Sequence, residues 1–306
     1  MNPAFSVIFF TTASGAGYGV WIWLGLLATS GALPGRSASL VALALGLLGV
    51  SAGLLSSTLH LGQPLRAWRA FSQWRSSWLS REGIAALLCF LPMLWLAVAL
   101  WFGHEARLAG LLLVLLSLLT VVCTAMIYAS LKPIPAWRHP LVVPVYLLFA
   151  LFTGGLVLAA LLSCFGARLP GLAGFIAMVL AAVLWRLKRH AWLSIDRGAM
   201  PASRASALGL PANREASVFE RPHTEANYLT TEMGFVLARK HARKLRLLAS
   251  VLFALIPALC ALPVWLLAHM DPTPWFVIAS LSALAGTFLE RWLFFAEARH
   301  LVTLYY

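Results

Sequence analysis

Eight runs of apolar residues, each about twenty long, set the pattern of this chain. They lie near 5–30, 38–61, 83–102, 108–131, 141–164, 171–187, 247–268 and 274–295. A helix needs about 20 apolar residues to cross the hydrocarbon core of a membrane. Leu-dominated blocks such as Ala109–Thr120 suit helices, whereas the strands of a membrane barrel alternate. The pattern predicts an all-α integral membrane protein, one polytopic domain over 1–306 with eight transmembrane helices. Pro92, Pro144, Pro257 and Pro263 fall inside runs, where neighbouring helices satisfy the freed carbonyls. Gly15, Gly17 and Gly19 in the first run, and Gly154 and Gly155 in the fifth, are expected to let helices approach closely.

The one long polar stretch is 188–246. Its part from Arg197 to Arg214 is rich in Ala, Ser, Gly and Pro and reads as an extended loop. From Thr224 to Arg246 a helix is predicted. Thr224 would cap it, and Leu229, Met233, Val236 and Leu237 would share a stripe. Arg239, Lys240, Arg243, Lys244 and Arg246 then lead into the seventh run.

Composition agrees with the pattern. Apolar residues make up 61% and charged residues 11%, against about 25% charged in soluble domains. Lys and Arg number 23 against 10 acidic residues, for a net charge of +13. On a soluble domain that excess would point to nucleic acid; here it reports orientation. With eight crossings both termini share one face, called here the terminal face. Of the 23 basic residues, only Arg36, Arg107 and Arg168 fall on the opposite face. Basic residues gather in cytoplasmic loops, so both termini and the 188–246 loop are predicted to be cytoplasmic. The first basic residue is Arg36, so no basic n-region precedes the first run, which is expected to stay as a span. The cysteines, Cys89, Cys123, Cys164 and Cys260, show no CxxC spacing. They read as single thiols rather than ligands of a cluster or zinc, and no metal site is expected.

The middles of runs one to seven hold no Asp, Glu, Lys, Arg or His. That weighs against an ion-coupled transporter. The polar chemistry gathers at the terminal face. His60 closes the second run. After it, Arg66, Trp68, Arg69, Phe71, Trp74, Arg75 and Trp78 recur at helical spacing. This reads either as an aromatic belt with snorkelling arginines or as an interfacial amphipathic helix bordering a site for an amphiphile. Glu290 lies one or two turns inside the eighth run, as a structural ion pair with a loop arginine or as a proton carrier. Glu82 reads as a charge at a helix N-terminus, favoured by the dipole. His139 sits in a proline-shaped loop and reads as solvated. His60 with His190 is the one conceivable haem pair, and no helix carries two stacked histidines.

Four segments carry a family resemblance: TLHLGQPLRAWRAFSQWRSSWLSREG at 58–83, CTAMIYASLKPIPAWRHP at 123–140, ERPHTEANYLTTEMGFVLARKHA at 220–242 and ERWLFFAEARHLVTLYY at 290–306. They resemble the membrane anchor subunits of dimethyl sulfoxide reductase, the DmsC family. Within it they look closest to the anchors of cytoplasmic sulfite dehydrogenase, the SoeC type. The resemblance implies a multi-pass subunit of the bacterial inner membrane without haem. It would hold an iron–sulfur subunit and a molybdopterin catalytic subunit and exchange electrons with ubiquinone or menaquinone. His60 matches the family's HLG position, where a histidine is implicated in quinol binding. A quinone site is therefore expected at His60, bordered by Arg66, Trp68, Arg69, Trp74 and Trp78, with His60 and Glu290 as catalytic candidates. The partners are expected to dock through 66–81, 132–139 and 220–246. The positive terminal face favours cytoplasmic partners and sulfite oxidation. The alternatives are a quinol-oxidising reductase anchor, a transporter and a haem-bearing subunit.

Overall fold

The computed structural model describes residues 4–59, 63–167, 169, 171–198, 200–211, 213–220, 225, 237–267 and 269–304. Among them eight helices are long and apolar enough to cross a membrane. The first six are α1 (Phe5–Ser30), α2 (Arg36–Thr58), α3 (Trp78–Phe102), α4 (Arg107–Ala129), α5 (Val142–Cys164) and α6 (Gly171–Arg197). Two single-turn helices follow, α7 (Arg204–Ala207) and α8 (Leu237–Lys240). The seventh crossing is α9 (Ala242–Ser250) continued through a π turn into α10 (Ile256–Leu266), and the eighth is α11 (Thr273–Ala296).

Helix α1 is the hub, packed against α2, α4, α5 and α11. Lipid chains are as apolar as leucine, so helices associate through close packing and interhelical hydrogen bonds. Gly17 lies against the backbone of Gly46 and Val50 on α2, and Gly19 against Ala150 and Gly154 on α5. A side chain at Gly19 or Gly154 would occupy the space of the other helix's backbone. Trp21 and Trp23 fix the same contacts, donating to the carbonyls of Leu43 on α2 (3.1 Å) and Leu151 on α5 (2.8 Å). Gly15, by contrast, faces open space. Helix α5 then joins this half to a second core formed with α6, α10 and α11.

Two expected boundaries shift, and the seventh crossing is interrupted inside. Helix α3 starts at Trp78, because Ser77 caps it by accepting from the amide of Ser80 at 3.4 Å. Helix α6 runs on to Arg197 instead of stopping near 187. Its basic turns Arg186–His190 propagate as helix, and Lys188 finds a buried counter-charge. In the seventh crossing Pro257 has no amide hydrogen to give an α-helical bond. The chain answers with the π turn Val251–Leu255, where Ile256 bonds back to the carbonyl of Val251. Ser282 on α11 caps the neighbouring carbonyl of Leu252 at 2.7 Å.

Replacing Gly154 with Leu is expected to push α1 and α5 apart and cost about 1–3 kcal/mol or more. Gly15→Ala should leave stability unchanged or slightly raised. Melting temperatures of the two variants in detergent check this contrast, and equal melting would refute the packing account.

Candidate functional site

The polar groups of the terminal face fall into two assemblies. The first surrounds the start of α3. Pro64–Gln73 forms a 3-10 helix rather than an α-helix, and two residues, Leu65 and Trp68, are 93% and 66% exposed. Trp74 is also exposed. Arginines ride over these rings: Arg69 lies 5.7 Å from the Trp68 centroid, Arg75 5.4 Å from Trp74 and Arg81 4.4 Å from Trp78. Arg81 also donates to the carbonyls of Trp74 (2.9 Å) and Arg75 (2.6 Å). Ser80 donates to the carbonyl of Ala70, and the Phe71 ring covers Gly83. The first turns of α3 thus hold an amphipathic segment in place, its tryptophans outward.

Immediately behind lies Glu82, buried. It stands in the second turn of α3, too far in to act as a first-turn dipole charge, which corrects the sequence expectation. Its partner is the Thr124 hydroxyl on α4. Thr124 also lies 3.0 Å from the carbonyl of Thr120. A hydroxyl has one proton to give. When Thr124 gives it to Thr120, the contact with Glu82 is satisfied by a proton on the carboxyl.

The second assembly joins α6, α5 and α11. Glu290 is fully buried, with Lys188 Nζ at 2.5 Å from one oxygen and Arg291 Nη2 at 2.8 Å from the other. Lys188 and Arg291 are 5% and 2% exposed. The guanidinium of Arg291 stacks 3.9 Å from the Tyr146 ring centroid, and Lys188 lies 4.7 Å from that of Trp192. The ion-pair reading of Glu290 therefore holds, but its partners come from helices rather than a loop arginine. Lys188 was missed because the sixth apolar run ends before it. Lys188 and Glu82 lie just outside the sixth and third apolar runs, and the helices that extend past those runs bury both.

Above this cluster, Arg246 on α9 binds Asp196 at the end of α6 (2.6 Å) and Glu297 at the end of α11 (2.8 Å). His139 is half-buried rather than solvated. Its Nδ1 accepts from the amide of Leu141 at 3.2 Å, so Nε2 carries the hydrogen and donates to Ser194 Oγ at 2.7 Å. Burial, and then the charges of His190 and Lys188, pull its pKa below the usual histidine value. A cavity of about 510 Å³ opens between His139, Arg239, Arg246, Glu297 and Arg299.

His60 lies outside the described residues, as does nearly all of 221–236, including most of the predicted docking helix. Of the other candidates, Arg66, Trp68, Arg69, Trp74 and Trp78 cluster about the start of α3, while Glu290 belongs to the second assembly.

Comparison with known proteins places this geometry in context. The family profile described as DMSO reductase anchor subunit (DmsC) matches residues 1–296. A sulfite dehydrogenase subunit of Allochromatium vinosum is 34% identical in an alignment covering 100% of this chain and 99% of that protein.

Glu290→Gln is expected to leave Lys188 and Arg291 buried without a counter-charge, at a cost of about 3–5 kcal/mol. Lys188→Met keeps the Arg291–Glu290 pair and should cost less. Thermal unfolding of both variants in detergent checks the order, and the reverse order would contradict the electrostatic account.

Proposed function

The chain belongs to the DMSO reductase anchor subunit (DmsC) family, and from that premise we propose that this membrane anchor is the quinone-reactive subunit of a sulfite-oxidising molybdoenzyme. The observation that carries the reading is the pairing at the start of α3. An exposed aromatic and cationic segment at headgroup depth is pinned directly over a buried carboxyl that hydrogen-bonds a hydroxyl. An amphiphile with an isoprenoid tail fits such a place. Its tail meets lipid along Leu65, Trp68 and Trp74, and its polar ring lies among the arginines, with Glu82 behind them.

The residues divide the work. The tryptophans orient the ring and shield it from water. The guanidinium groups of Arg66 and Arg69 stabilise negative charge that develops on carbonyl oxygens during reduction. His60 hydrogen-bonds one such oxygen and passes a proton near neutral pH. Glu82 holds the second exchangeable proton. Glu290 sits between two cations and serves as their counter-charge, so the proton-bearing carboxyl is assigned to Glu82.

The partners, an iron–sulfur subunit and a molybdopterin subunit, dock on the terminal face, through 66–81, 132–139 and 220–246. The charge bias favours a cytoplasmic position for that face, and the family favours a bacterial inner membrane. The name of the Allochromatium relative favours sulfite as the reductant, with electrons passing from the partners to the quinone. The second reading, quinol oxidation by an S- or N-oxide reductase, draws on the family description alone.

Two measurements test this. In membranes carrying the whole complex, His60→Ala and Glu82→Gln should each lower quinone-linked turnover at least tenfold, about 1.4 kcal/mol of transition-state stabilisation. Dye-linked activity of the soluble subunits should stay normal. Unchanged quinone-linked turnover in both variants would refute the site. Reporter fusions at Tyr306 and between residues 200 and 220 should both signal cytoplasm; a periplasmic signal from either would reverse the orientation.

A further inference from the structure

The cavity above the buried ion cluster is not used by the proposed quinone chemistry, and its charges do not cancel. Two acids, Asp196 and Glu297, line it, and both are held by Arg246. Arg239 and Arg299 line it as well. Nη1 of Arg239 is buried and makes no hydrogen bond among the described residues. The vestibule is therefore left one positive charge over. The ion cluster beneath it adds another, since Lys188 and Arg291 share the single carboxylate of Glu290. A smaller cavity of about 30 Å³, lined by Lys188 and Arg291, shares His139 and Ala136 with the vestibule, so the two charges act on adjoining spaces.

A guanidinium prefers an oxyanion that accepts two parallel hydrogen bonds. Two like charges facing one space are costly unless an anion lies between them. Burial, and then the charge of Arg299, both pull the pKa of Arg239 down, and an anion beside it would offset both. The place also defines the anion. Asp196, Arg246 and Glu297 stand where α6, α9 and α11 leave the membrane, which is headgroup depth. Apolar Pro135, Ala136, Ile195 and Met200 complete the lining. Basic pockets between membrane helices at this level suit phosphate headgroups. The volume, about 510 Å³, takes a phosphodiester with its glycerol.

We propose that this vestibule is a binding site for the phosphate group of an anionic phospholipid, gripped by Arg239 and Arg299. A lipid seated there would tie α6, α8 and α11 together on the surface proposed for partner docking.

The test uses the full chain purified in mild detergent. Native mass spectrometry should find a retained phosphatidylglycerol or cardiolipin molecule. Adding cardiolipin after delipidation should raise the melting temperature. In Arg239→Gln and Arg299→Gln, lipid retention should fall at least fivefold and the thermal shift should disappear. Arg299 is exposed, so its variant folds even where the Arg239 variant does not. Arg243→Gln, exposed and off the cavity, should keep both effects. Inorganic phosphate is the second arm. A shift with phosphate alone, lost in Arg299→Gln, would support the same phosphate site filled from solution instead. Retention and thermal shift unchanged in Arg299→Gln, or absent in the wild type with both ligands, would overturn the proposal.

Discussion

Lys188, Glu290 and Arg291 can occupy a membrane bundle only together. An isolated charge in a medium without water is expensive, and each of these residues is at least 95% buried. Glu290 is ion-paired with a cation on α6 and with its own neighbour on α11, and the Tyr146 ring on α5 backs the guanidinium. One electrostatic requirement thereby fixes three helices relative to one another. Small residues could set the spacing of α1 against its neighbours, but they are tolerant of sliding. The ion cluster is not, because a one-turn slip would strand a charge. It gives the second core of the bundle its register, and the Arg246 bridge repeats the device one layer nearer the water.

The two buried carboxyls show how environment divides roles between like residues. Glu290 is surrounded by permanent positive charge. Glu82 meets a threonine hydroxyl, and no ion pair to it is found among the described residues. A carboxyl held by cations keeps its charge and contributes structure. A carboxyl held by a hydroxyl has use for a proton. Both lie within a few turns of the same membrane face, so the distinction rests on partners and owes nothing to depth.

The span count and the close-packing glycines were legible in the sequence because both depend on local composition. Gly17, Gly19 and Gly154 sit where a helix surface must be bare. Gly15, equally conspicuous in the sequence, faces nothing, because its side of α1 points into a gap. Charges were harder to read. An apolar run ends at its first cation, so Lys188 looked like loop, and only its long-range partner Glu290 shows it to be core. Glu82 looked like an N-terminal dipole charge because the α3 start depends on the Ser77 cap, one turn earlier than the hydropathy edge. The 64–73 segment kept its predicted amphipathic character but winds as a tighter helix, with Arg81 and Ser80 of α3 taking several carbonyls in and just after it. Histidine roles turned on tertiary contacts as well: nothing near His139 in the chain announces Ser194, fifty-five residues away.

The π turn at Val251–Leu255 inserts one residue into the seventh crossing. Each residue turns an α-helix by about 100°. Arg246 and Ala261 are fifteen residues apart, so a regular helix would hold them about 60° apart, and the extra residue turns one segment by about 100° relative to the other. With the extra residue, Arg246 reaches Asp196 while Ala261 and Val264 still face the apolar core. The seventh crossing is in effect two helices with separate phases joined end to end. Its polar end and its apolar end can be tuned independently, and a single-residue deletion between them would rotate one end relative to the other.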